Sequence, residues 1–138
     1  MAISRNQEQY IIMTVIYDEL TDFTHGDGKV FRDARGLVSE LAEMPYEEVS
    51  DFVKNMISQS LNHYGDIVKA FAPKLNNWKW DRLPLLTQSI LIMSYAHFYY
   101  VEKIDKRVVI NIAVDLAKKY IEEKQAKFIN AILDGVLN

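Results

Sequence analysis

The sequence has no cysteine, only three prolines and five glycines, and no apolar run as long as a membrane-spanning helix, which needs about 20 residues. The lack of cysteine excludes a disulfide framework and thiolate chemistry. The N-terminal residues, MAISRNQEQY, lack the basic stretch and apolar stretch of a signal peptide, so we expect a cytoplasmic protein. The most apolar run, residues 90–101, contains Ser94 and His97 and is predicted to be a buried helix.

Patterns that indicate catalysis are also missing. The three histidines, His25, His63 and His97, have no ligand-type spacing to one another. The only glycine-rich stretch, THGDG, lacks the Lys-Ser/Thr pair of a phosphate-binding loop. Adjacent acidic residues are more simply explained as part of solvated helix faces than as catalytic acid–base pairs. The serines have no evident histidine partner that could activate them. The sequence therefore predicts a protein that is not an enzyme and that holds no cofactor or metal.

Length and charge set further limits. The 138 residues suit one domain, 1–138, that buries roughly two-thirds of the surface of its unfolded chain. The net charge of −3 argues against a strongly basic nucleic-acid binder. Residues 1–73 carry 6 Lys/Arg and 12 Asp/Glu, a balance of −6, whereas residues 74–138 carry 10 and 7, a balance of +3. A polyanion should therefore prefer the C-terminal half.

Apolar residues recur at helical spacing along almost the whole chain, which predicts an all-α fold. A loop is expected at 24–28 and a connector at 76–81. Asp105 is a predicted N-cap, and Pro45 suits the start of a helix. The helix at 83–101 is apolar on most faces and should be central. The predicted helices span 5–20, 30–41, 45–61, 66–71, 83–101, 105–121 and 126–137.

Two motifs in the C-terminal half carry a family resemblance. The segment WKWDRLPLLTQSILIMSYAHF, from Trp78 to Phe98, resembles a W-K-x-D-R-[IL] entry into a core helix. The segment VVINIAVDLAKKYIEEKQAKFINAILDGVL resembles V-x-I-N-E-A-V-E-L-A-K-x-Y followed by K-F-[IV]-N-G-[VI]-L-D. Their order and spacing, over about 60 residues, are similar to those of the bacterial NusB family of transcription antitermination proteins. In the first half, only Arg5 and Ile16-Tyr17 match.

The resemblance implies a fold of seven helices in two small bundles packed together. It also implies a function in binding and assembly rather than catalysis. Members of that family bind boxA, a short single-stranded RNA element of ribosomal RNA operons. They do so together with a small-subunit ribosomal protein that is also called NusE, and the complex joins the elongating RNA polymerase.

The last helix supplies three candidate RNA-binding residues. Phe128 lies at one edge of the apolar arc of this helix, so it can either cap the core or present its ring to an unstacked base. In the family's K-F-I-N segment the phenylalanine contacts RNA, and this resemblance supports a base-stacking role for Phe128. Core packing and base stacking both stay open. Lys127 and Asn130 flank it outside the arc. Lys127 is a candidate phosphate contact, although most surface lysines only increase solubility.

Four further candidates match family positions. Lys118 matches the lysine of L-A-K, and Asn111 matches the asparagine of I-N-E-A, although Asn111 can instead bond a neighbouring helix end. Arg5 corresponds to an arginine-rich first helix. Tyr17 matches the tyrosine of the Leu-Tyr pair that ends the family's first helix. The simpler interpretation is structural, with a buried ring and a solvated hydroxyl.

The chain also departs from the family pattern. The first helix has one arginine where the family usually has several. In the core helix, Thr87 and Gln88 stand where the family has an acidic and then a basic residue, and Ile92 stands where it has an arginine. The acidic position lies where the ribosomal protein docks in the family. The glutamate of I-N-E-A becomes Ile112, which we expect to be partly exposed. We assign Thr87, Gln88 and Ile112 to a partner surface that is more hydrophobic than in relatives.

Three functions are consistent with these residues. The first is an RNA-binding antitermination factor. The second is an interaction adaptor that keeps the fold and has weak or no RNA binding. The small number of arginines in the first helix and the presence of Ile112 favour this function. The third is the RNA-binding module of an rRNA cytosine methyltransferase, for which no glycine-rich cofactor loop is present.

Overall fold

The computed structural model describes residues 3–25, 31–76 and 78–138. Within them the regular structure is helical and includes no β-strand, as predicted, and no helix is long and apolar enough to cross a membrane. Val30 and most of the predicted loop at 24–28 lie outside the described residues. The seven α-helices are α1 (Arg5–His25), α2 (Arg35–Ala42), α3 (Asp51–Asn62), α4 (Tyr64–Phe71), α5 (Leu85–Ala96), α6 (Lys106–Tyr120) and α7 (Glu123–Val136).

The α5 helix occupies the centre of the molecule, as its apolar composition predicts. Nine of its twelve residues are buried, and it packs against α1, α3, α4, α6 and α7. The α1 helix also packs against α2 and α3, and α6 packs extensively against α7. The result is two groups of helices that meet at α5, which agrees with the predicted pair of small bundles.

Buried polar side chains of α5 are hydrogen-bonded within the fold. The Ser89 hydroxyl donates to the Met13 carbonyl of α1 at 2.7 Å. The Gln88 amide nitrogen donates to the carbonyls of Trp80 and Leu83 at 3.1 and 3.0 Å, which ties the preceding connector to α5. Because each of these groups has a partner, its burial does not leave an unpaired donor that would destabilise the core.

Several helix ends differ from the predicted ones. Pro45 precedes only a short 3-10 turn, and α3 begins after Ser50, whose hydroxyl accepts a hydrogen bond from the Val53 amide at 3.2 Å. The α5 helix starts after Pro84 and continues as one π-helical turn over His97–Val101. The α1 helix extends five residues beyond the predicted end, and α7 starts three residues before the predicted start. The predicted N-cap is confirmed, since the Asp105 carboxylate accepts from the Arg107 amide at 2.8 Å.

We predict that Gln88→Met lowers the free energy of unfolding by about 1–3 kcal/mol, because two buried carbonyls lose their donor while the side-chain volume is nearly kept. Urea unfolding followed by circular dichroism measures the change. Gln59→Met, at a half-buried position of α3, is the matched control and should change stability much less. Equal stability of the Gln88 variant and the unmodified protein would contradict this account of α5.

Candidate nucleic-acid interface

The α7 helix presents the three candidates of the K-F-I-N segment in different environments. Lys127 and Asn130 are exposed. Phe128 is half-buried and packs against the hydrophobic core, with part of its ring open to solvent. Its core packing and its partial exposure are compatible with both predicted roles, so neither is decided by its position.

The α6 helix places Asn111 and Lys118 on one exposed face, since seven residues correspond to nearly two full turns. Only residues 121 and 122 connect α6 to α7, and the two helices pack side by side. Lys118 and Lys127 both lie within about 8 Å of this connection along the helix axes. Asn111 is about 15 Å from it, so it lies toward the other end of the pair.

The α1 helix contributes exposed tyrosines. Tyr17 is 41% exposed, so the interpretation of its ring as buried is wrong. Tyr10 is 39% exposed and lies seven residues earlier, on the same face of α1. The Tyr10 ring packs on the Tyr120 ring of α6 with 5.2 Å between centroids, and the Lys119 ammonium lies 5.3 Å from the Tyr120 centroid. Aromatic rings and a cation are thus grouped where α1 approaches α6.

A groove separates the first turns of α1 from α6 beside this group, and we call it the α1–α6 groove. Ile112 is half-buried here, as the sequence predicts, and Leu116 forms part of the apolar floor. Asp115 and Lys119 supply one charge of each sign. The lining residues are Asn6, Gln9, Ile112, Asp115, Leu116, Lys119 and Tyr120.

Arg5 is held by contacts within the protein. Its guanidinium carbon lies 3.7 Å from the centroid of the Phe52 ring. Its nitrogens lie 3.3 Å from a Glu8 carboxylate oxygen and 3.7 Å from a Glu102 carboxylate oxygen. A hydrogen bond with His97 and, to a smaller extent, the charge of Arg5 lower the pKa of Glu102. Arg5 therefore links α1 to α3 and to the segment before α6, although its side chain is 53% exposed.

A model of the NusB family matches residues 7–138 of the chain. The chain belongs to the NusB family. The family consists of transcription antitermination factors that are not enzymes, as predicted. Among curated relatives, the transcription antitermination protein NusB of Chloroherpeton thalassium is 29% identical over 140 residues. That alignment includes 100% of this chain and 63% of the relative, so the chain spans less than two-thirds of that protein.

Solved structures of NusB proteins share the fold. T. maritima NusB superposes with a TM-score of 0.79 at 18% identity, covering 99% of this chain and 92% of that one. A chain from the crystal structure of antitermination factors NusB and NusE in complex with dsRNA gives a TM-score of 0.75 at 21% identity. The superposition covers 96% of this chain and 94% of that one. At these identities the likeness establishes the fold alone.

The core helix of this NusB-family chain corrects one sequence prediction. Thr87 and Gln88 are buried, with exposures of 0% and 4%, and Ile92 is also fully buried. The Thr87 hydroxyl donates to the Gln125 side chain of α7 at 3.0 Å, and Gln88 bonds the connector. The assignment of Thr87 and Gln88 to a partner surface is wrong, because both side chains are buried and bonded within the fold. Ile112 keeps partial exposure, but it lies in the α1–α6 groove.

The structure thus brings together some NusB-family candidates and separates others. Lys118, Lys127 and Phe128 lie on the packed α6–α7 pair, whereas Tyr17 lies on the face of α1 that also carries Tyr10. Sequence analysis missed Tyr10, Tyr120 and Gln9. The seven-residue spacing of Tyr10 and Tyr17 is a usable signal for the first. Tyr120 follows the apolar spacing of α6, and its partial exposure beside Tyr10 of α1 appears only in the structure.

We predict that Arg5→Ala lowers the free energy of unfolding by about 1 kcal/mol, because a partly exposed cation–π contact and two weak ion pairs are lost. Thermal and urea unfolding measure this change. Arg107→Ala is the matched control, since Arg107 is exposed and its side chain bonds Asp105 on the same helix end. A loss for Arg5→Ala no larger than for the control would show that these contacts do not stabilise the fold.

Proposed function

We propose that this chain is an RNA-binding transcription antitermination factor that binds a boxA-like RNA together with a NusE-type ribosomal protein. The single observation that carries the proposal is the K-F-I-N segment of α7, in a chain that belongs to the NusB family. There Lys127 and Asn130 are exposed, and the Phe128 ring is partly open to solvent. A structural relative forms a complex with NusE and dsRNA, which supports both classes of partner.

Each exposed group on α6 and α7 has a chemistry suited to single-stranded RNA. Lys118 and Lys127 can pair with phosphates, which position the strand without reading its sequence. The open side of the Phe128 ring can stack on an unpaired base. Asn111 and Asn130 can donate to or accept from base edges. Tyr17, on α1, adds a second aromatic side chain for stacking.

The same structure predicts that the isolated protein binds RNA weakly. Arg5 is engaged with Glu8, Phe52 and Glu102, and the N-terminal half of the chain is acidic. We therefore assign phosphate contact mainly to Lys118 and Lys127, and propose that stable binding requires the ribosomal protein. In this role the complex acts on the elongating RNA polymerase, in the bacterial cytoplasm.

The ribosomal protein must contact side chains other than those of Thr87 and Gln88, which are buried. Ile112 remains a candidate, since it is half-buried and lines an open groove. The competing function is an interaction adaptor with the same fold and no RNA binding. The engagement of Arg5 within the protein is the observation that favours it.

We predict a shallow salt dependence for RNA binding. With two or three phosphate contacts at about −0.7 each, the slope of log K against log salt should lie between about −1.4 and −2.1. Fluorescence titration of a boxA-like RNA at several salt concentrations, with and without a NusE-type protein, measures it. Tight binding in the ternary mixture supports the proposal. The absence of RNA binding in both mixtures would favour the adaptor, and a much steeper slope would reveal a basic surface larger than Lys118 and Lys127 provide.

We predict that Phe128→Ala weakens RNA binding by about 1–3 kcal/mol, because a stacking ring is removed. Its cost in stability should be less than the roughly 3–5 kcal/mol of a fully buried phenylalanine, since the ring is only half-buried. RNA titration and urea unfolding of the same samples separate the two effects. Phe128→Leu is the control that keeps apolar cover over the core, and it should lose RNA affinity with little change in stability. Severe destabilisation by the alanine variant with unchanged RNA affinity would assign Phe128 to core packing alone.

A further inference from the structure

Gln9 is the least explained polar side chain of the α1–α6 groove. It is 3% exposed, and neither its amide nitrogen nor its amide oxygen has a hydrogen-bond partner among the described residues. Buried polar groups in folded proteins nearly always have partners, because an unpaired group lowers stability. An amide left unpaired at the edge of a groove therefore indicates a group that gains its partner from a ligand.

The surroundings of Gln9 suit a flat, uncharged ligand. Lys119 and Asp115 carry opposite charges, so the groove has no net charge with which to attract an anion. Ile112 and Leu116 provide apolar contacts. The Tyr120 ring lines the same groove and is half-buried, and it contacts the exposed Tyr10 ring of α1. An aromatic heterocycle that also has hydrogen-bonding edges fits this combination.

We infer that the α1–α6 groove is a nucleobase pocket, in which Gln9 pairs with an unpaired adenine of the bound RNA. A glutamine amide presents one donor and one acceptor side by side, and adenine offers the complementary acceptor N7 and donor N6. The purine ring stacks beside Tyr120, and Lys119 lies at the edge where the adjoining phosphate would pass. This inference rests on the proposed function and adds a residue that determines base specificity.

The amide of Gln9 is closed to solvent in the free protein, so the pocket must open for the base to enter. At the residue after Gln9, the Tyr10 ring of α1 contacts the Tyr120 ring that lines the groove, with centroids 5.2 Å apart. Tyr10 is 39% exposed and is not packed against the core, so its ring can turn without disrupting the core. Entry of a base then replaces a ring–ring contact by a ring–base contact and supplies the missing partners of the amide.

The test compares the unmodified protein with Gln9→Met, in the presence of the NusE-type protein. The probes are oligoadenylate, oligouridylate and oligocytidylate of equal length, together with oligoadenylate in which 7-deazaadenine replaces adenine. The unmodified protein should prefer oligoadenylate, and the 7-deaza probe should bind about 10-fold more weakly because it lacks the N7 acceptor. The Gln9 variant should bind oligoadenylate about 10-fold more weakly and should not distinguish the 7-deaza probe. Its midpoint of thermal unfolding should rise by a few degrees, because an unpaired buried amide is removed.

The control is Gln59→Met on α3, which does not line the groove and should leave the base preference unchanged. A rise in thermal stability without loss of the adenine preference would overturn the inference, because a merely structural glutamine gives that result. An unmodified protein that binds boxA-like RNA without any preference for adenine would overturn the inference and leave the proposed function standing. Absence of binding to every RNA would overturn both. Loss of affinity for the ribosomal protein alone would assign the groove to a protein contact and exclude the base pocket.

Discussion

Burial of α5 on nearly all sides is the constraint on which the remaining structure depends. A helix that is apolar around its circumference cannot lie at a surface, so other helices must cover each of its faces. The α1 and α3 helices cover it on one side, α6 and α7 cover it on another, and α4 contacts both α3 and α7. Hydrogen bonds from Ser89 to α1 and from Thr87 to α7 fix the rotation of α5 relative to both. The separation between α1 and α6, and with it the groove, follows from the way each helix packs on α5.

The sequence predicts this core well because hydrophobic periodicity is a property of each segment by itself. The number of helices, the central position of α5 and the Asp105 cap all follow from local patterns. Helix ends depend on smaller differences in energy, such as the Ser50 cap before α3, and the apolar pattern predicts them less accurately. Thr87 and Gln88 show a second limit. A polar side chain in a helix suggests an exposed position, and only the tertiary structure reveals that Gln125 and the Trp80 and Leu83 carbonyls complete its hydrogen bonds.

The candidate site divides in the same way. Exposure of Lys118, Lys127 and Asn130 follows from the helical wheel, because each lies opposite an apolar arc on its own helix. The groove could not be predicted, since it forms between residues that are about 100 positions apart in the chain. Gln9 illustrates the difficulty. In the sequence it is one polar residue among several at the start of α1, and its burial without a partner among the described residues appears only in the tertiary structure.

Charge and shape are divided between the two sides of the proposed binding surface. The N-terminal half has a balance of −6, and the arginine at the start of α1 is engaged with Glu8, Phe52 and Glu102. The lysines lie on α6 and α7, where the chain is net positive. On the proposed function, the lysines of α6 and α7 therefore hold the phosphates of the strand, while its bases contact Phe128 of α7 and the aromatic rings and amide where α1 meets α6. Neither side alone supplies many contacts. An RNA gains both sets only if its bases are unpaired and correctly spaced, so selectivity in this protein would come from geometry more than from electrostatic attraction.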